Sequence, residues 1–65
     1  LTLELAAFDD YKITIIDYQG RVYHTLEVTQ TNQVTLAIEN LPAGNYLVTV
    51  ESDQSVEKHR FVKVN

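Results

Sequence analysis

The run from Glu39 to Val50 constrains the fold more than any other part of the chain. It reads Glu39-Asn40-Leu41-Pro42-Ala43-Gly44-Asn45-Tyr46-Leu47-Val48-Thr49-Val50 and holds the only proline and one of the two glycines. Pro42 fixes its own φ near the value wanted at the second position of a type I or II turn. Gly44 can take a positive φ at no steric cost. Leu41, placed before the proline, is driven toward an extended backbone, and its apolar side chain is expected to plug the end of a core. Tyr46, Val48 and Val50 then alternate with Leu47 and Thr49, which is the period of a strand. A tight corner between two strands follows. One glycine beside a proline does not make a glycine-rich anion loop, so phosphate binding is not expected here.

The same two-residue period governs the rest. Leu1–Leu5 alternates strictly, with three leucines on one face. Ala6–Asp10 is expected to form a loop from which Phe8 tucks into the core. Tyr11–Asp17 is the second strand, with Tyr11, Ile13 and Ile15 inward and Ile16 on the polar face. Asp17-Tyr18-Gln19-Gly20 fits a type I turn with a G1 bulge. Arg21–Val28 follows, with Val22, Leu26 and Val28 sharing parity with His24. Thr29–Asn32 reads as a polar loop, and Gln33–Ile38 as a fourth strand with Val34, Leu36 and Ile38 inward. Tyr46–Glu51 is the fifth strand. Ser52–Ser55 is a polar turn, and Val56–Val64 is the sixth strand, of unsettled parity: either Phe61 or the Val62/Val64 pair points inward. No stretch carries a helical period over three turns. Short connections favour antiparallel neighbours. The expected fold is therefore all-β: one domain over residues 1–65, a small antiparallel β-sandwich of about six to seven strands.

Sixty-five residues are near the lower limit for a core without staples. There is no cysteine to supply a disulfide or a thiolate metal site, so a packed neighbour or homodimer partner would help. The net charge of −4 argues against a general electrostatic role on nucleic acid. No apolar run is long enough for a transmembrane segment. The numbering starts inside a strand pattern without an initiating Met, so the chain is expected to be the C-terminal part of a longer, secreted protein.

Residues able to do chemistry are few and scattered. His24 and His59 lie in different strands without metal-ligand spacing. Ser52, Asp53 and Ser55 suggest a turn that bonds its own backbone, not a nucleophile elbow. Asp9, Asp10 and Asp17 fall short of a calcium cage. No catalytic, cofactor-binding or metal-ligating set is expected. Tyr11 and Tyr46 are expected in the core, Tyr18 and Tyr23 partly exposed. Lys58, Arg60 and Lys63 gather three of the five basic residues within six positions. That reads either as an edge strand kept soluble by charge or as a segment offered to an acidic partner.

Three blocks carry a resemblance. Ile13–Val22 resembles the strand–"D-x-x-G-R"–strand hairpin of the C-terminal sorting domain of type IX secretion cargo in Bacteroidota. Leu41–Val50 resembles that family's "L-P-A-G-x-Y-x-V-x-V" block, and Lys58–Val64 its terminal "K-x-x-K-F-V-K" strand. With Leu1–Leu5 as first strand, the likeness spans almost the whole chain. It implies an immunoglobulin-like sandwich that is not an enzyme. The domain would direct an upstream cargo domain across the periplasm and outer membrane to the cell surface, where a sortase-like peptidase commonly removes it. The residues it nominates for recognition by the protein secretion machinery are Gly20, Arg21, Pro42, Gly44, Tyr46, Lys58, Phe61 and Lys63. The chain begins after where the family's usual opening "P-N-P" segment would sit, and it departs from the family in lacking a glycine at Asp53–Ser55 and in its less basic Val64-Asn65 end. Two other readings share the expected architecture. One is a small secreted adhesion or interaction module, and the other a carbohydrate-binding module, which would need an aromatic platform.

Overall fold

A computed structural model describes residues 1–64; Asn65 lies outside the described residues. Four strands are present: β1 (Thr2–Asp17), β2 (Val22–Thr35), β3 (Gly44–Glu51) and β4 (Val56–Lys63). All neighbours are antiparallel, and they form one sheet in the order β2-β1-β3-β4.

The all-β antiparallel class matches the expectation, whereas the strand number differs. The expected first and second strands are one long strand, β1, and the third and fourth are one long strand, β2. The stretches expected as loops, Ala6–Asp10 and Thr29–Asn32, are bends within those strands. Glu4 pairs with Gln33 and Asp9 with Thr31, so Leu5–Phe8 stand opposite Asn32 alone. A further slip follows between Asp9 and Tyr11. Bulges of this kind bend a strand and increase its twist without ending its pairing. Gln30 sits at the bend with φ 47°. The Asp10 carboxylate accepts from its backbone N–H at 2.9 Å and from its side-chain amide at 3.3 Å.

Length shows that the bend is sharp. Sixteen extended residues would span about 53 Å, yet the longest dimension of the molecule is 32 Å. The sheet therefore doubles back. Leu5, Val34 and Leu36 join Tyr11, Ile13, Ile15, Leu41, Tyr46, Val48 and Val50 in one buried cluster. Val48, Val50 and Ile13 are fully buried. Phe8, expected to tuck into the core, is instead 69% exposed. The inside of the bend is closed by Tyr11, whose hydroxyl donates to the Ala7 carbonyl, and Phe8 is left on the outside.

Three turns complete the frame. Gly20 takes φ 87°, its N–H donates to the Asp17 carbonyl at 3.1 Å, and the Asp17 N–H donates to the Arg21 carbonyl at 3.0 Å. This is the expected type I turn with a G1 bulge. The register then slips by one between Ile15 and Ile16, which corrects the parity at the start of β2. Val22 pairs with Ile16 on the outer face and is 58% exposed, while Tyr23 packs against the core. At the third turn Ser52 takes over the work of the missing glycine. Its hydroxyl accepts from the backbone N–H groups of Gln54 (3.2 Å) and Ser55 (3.1 Å).

The parity of β4 is settled. Glu57, His59, Phe61 and Lys63 face inward and are half-buried. Val62 and Val64 are 66% and 76% exposed.

Candidate functional site

The corner after β2 is built from its own sequence. Leu41 is buried, as expected of a plug. Its N–H donates to the Ile38 carbonyl at 3.1 Å. Pro42 and Gly44 turn the chain into β3. Two residues further on, the Tyr46 ring enters the core and its hydroxyl donates back to the Pro42 carbonyl. A tyrosine reaching back to a backbone carbonyl a few residues upstream closes corners in many β-sandwiches. It leaves the phenol bonded and the ring buried. Tyr11 on Ala7 repeats the device at the bend of β1, with the same separation of four residues.

The three motif blocks converge on this corner. Tyr23, just past the Asp17–Gly20 turn, meets Tyr46 edge-on with ring centroids 5.5 Å apart. From β4, Phe61 stacks on the other side of Tyr46 at 5.2 Å. The Lys63 ammonium donates to the carbonyls of Leu41 at 3.0 Å and Glu39 at 3.4 Å. Between the two turns lies an open cleft of about 310 Å³, lined in part by Asp17, Tyr18, Arg21, Tyr23, Pro42 and Tyr46.

Of the residues nominated from the sequence, Gly20, Arg21, Pro42, Gly44, Tyr46, Phe61 and Lys63 therefore gather at one end of the sheet. Lys58 does not. It pairs with Thr49 on the outer face, away from the corner. Several of the gathered residues serve the fold first: Gly20 and Gly44 carry positive φ, and Lys63 satisfies carbonyls. Arg21 is the most available. Its side chain is 65% exposed, with Nε 3.7 Å from the Asp17 carboxylate and the guanidinium carbon 6.0 Å from the Tyr23 ring centroid. The Asp17 carboxylate also accepts from the N–H groups of Gln19 and Arg21, both at 2.9 Å, which locks the turn.

Asp17 and Tyr23 were not nominated from the sequence. Simple alternation put Tyr23 on the outer face, and only the bulge reverses it. Burial pushes the Tyr46 phenol above its ordinary range. The nearby Tyr23 and Asp17 push in the same direction and Arg21 opposes them.

Among the described residues no helix is long and apolar enough to cross a membrane. Tyr11 and Tyr46 are buried and Tyr18 is 61% exposed, as expected. Tyr18 stacks on no other ring among the described residues, so the aromatic platform wanted by a sugar-binding module is not assembled there.

Compared with known proteins, residues 1–64 match the family model described as the secretion system C-terminal sorting domain. No curated protein and no solved structure matches the chain.

Proposed function

The chain belongs to the secretion system C-terminal sorting domain family, and from that premise we propose how it serves as a signal. It is a C-terminal sorting signal for type IX secretion, of a family that is not catalytic, and it implies export to the cell surface or beyond. It acts in cis on an upstream cargo domain. The cargo crosses the periplasm with the domain attached, and a sortase-like peptidase removes the signal at the surface. The doubled-back sheet serves as a reduced immunoglobulin-like sandwich.

The observation that supports a recognition end is the convergence on Tyr46 of two turns and the end of β4. In this reading Gly20, Pro42, Gly44 and Tyr46 hold the shape. Arg21 presents charge beside the cleft, and Phe61 and Lys63 fasten β4. Lys58 and Arg60 present positive charge on the outer face, and among the described residues neither has a carboxylate within ion-pair distance.

The test is export of a reporter fused to residues 1–65, in cells with an intact type IX system and in cells without one. Surface arrival only in the intact strain is the expected result, and removing residues 58–65 should abolish it. A folded domain retained in both strains would overturn the proposal. Arg21→Ala should then lower export while leaving the unfolding free energy within about 0.5 kcal/mol of the parent, as for other exposed side chains.

A further inference from the structure

The two edge strands are fastened in different ways. β2 contributes Val34 to the buried cluster, with Tyr23, Leu26 and Val28 packed against it. β4 contributes none of the buried side chains. Its inward row is Glu57, His59, Phe61 and Lys63, and Phe61 is the one apolar side chain among them, packed against the core. Within that row the His59 Nε2 lies 3.4 Å from the Glu57 carboxylate, a contact inside β4 that does nothing to tie the strand to β3. What holds β4 is the backbone ladder to β3, the Phe61–Tyr46 stack and the Lys63 ammonium on two carbonyls. If β4 leaves, the flank of Tyr46 and the edge of β3 open. The β1–β2 and β1–β3 ladders do not involve β4, and none of the buried side chains belongs to it.

We propose that β4 is a removable strand, taken up by the secretion machinery as an extended segment while β1–β3 remain folded. This rests on the sorting reading and adds the form in which the signal is read. A strand of this kind joins an open sheet edge through its own N–H and C=O groups, with side-chain pockets giving specificity. The charges of Lys58 and Arg60 on the outer face call for acidic side chains on that edge. Phe61 and Lys63 are the latch that keeps the strand home until then.

Two measurements test it. In hydrogen exchange on the free 65-residue chain, the β4 amides bonded to β3 should exchange about tenfold faster or more than the β1 amides bonded to β3. Equal protection overturns the proposal. The second uses the absence of cysteine. Asn45 and Val62 are cross-strand partners on the outer face, so N45C with V62C fastens β4 to β3 by a disulfide. Thr14 and Thr25 are partners across β1 and β2, so T14C with T25C makes a matched cross-link that leaves β4 free.

In the reporter assay, the oxidised N45C/V62C chain should fall to background. The N45C and V62C single variants and the oxidised T14C/T25C chain should reach the surface. Export of the β4-locked chain overturns the inference. So does loss in both cross-linked chains alike, since the requirement would then be unfolding of the whole sheet. Failure of the unmodified chain to export would sink the sorting reading instead, and hydrogen exchange would still decide whether β4 is loose.

Discussion

β1 and β2 meet through three slips of register, whereas β3 and β4 run opposite each other without one. Ladder regularity does not mark the core: the irregular hairpin carries it. Its bulges bend the sheet so that Leu5 and Val34 reach the same cluster as Ile13 and Ile15. The straight hairpin cannot do this. It leaves β4 extended along the edge, with one apolar side chain turned in. A perfect backbone ladder and a share in the core are separate properties, and here they fall to opposite ends of the sheet.

The comparison can be broken first at the bend. Leu5→Ala removes a buried leucine from the doubled-back part of the sheet and should cost about 2–5 kcal/mol in urea unfolding. A domain of this size holds a total of that order, so the variant should be largely unfolded. Folding as firmly as the parent would show that the bend is not part of the core. Next comes Gly20→Ala. A Cβ there meets nothing within 4 Å, so the whole cost is the left-handed backbone, about 1–2 kcal/mol.

Tyr46→Phe keeps the ring and loses the hydroxyl bond to Pro42, for about 1 kcal/mol at neutral pH. It also carries a pH signature. The Tyr46 phenol is raised in the folded chain, so as pH climbs past about 10 the unfolded chain gives up its proton first. Stability of the parent should therefore fall through that window, and the fall should be shallower in Tyr46→Phe. Parallel slopes in the two proteins would mean that Tyr46 is not the group responsible. The smallest effect belongs to the straight hairpin. Val62→Thr, on the exposed face of β4, should stay within about 0.5 kcal/mol of the parent. A loss of several times that would show β4 packed against something the sheet itself does not supply.

The turns were legible in the sequence because their chemistry is local. Asp17 with Gly20 specifies the G1-bulged hairpin, and Pro42 with Gly44 and Tyr46 specifies the corner. The bends were not legible. Gln30 takes a left-handed backbone without being glycine, and its support comes from Asp10, twenty residues away in sequence. Leu5–Phe8 bulge without a proline or glycine to announce it. Two polar stretches therefore read as loops, and two long strands read as four. The candidate site suffered from the same blindness. Tyr23 is partly exposed as expected, but alternation set it on the parity opposite Leu26 and Val28, because alternation cannot count a bulged residue. Phe61 and Val62 could not be ranked because β4 is amphipathic in neither sense.

The placement of the buried residues has a consequence in time. Every one of them lies between Leu5 and Val50. A chain delivered N-terminus first therefore presents all of these core residues before Val56 follows. β4 then adds to a sheet whose buried residues it does not supply.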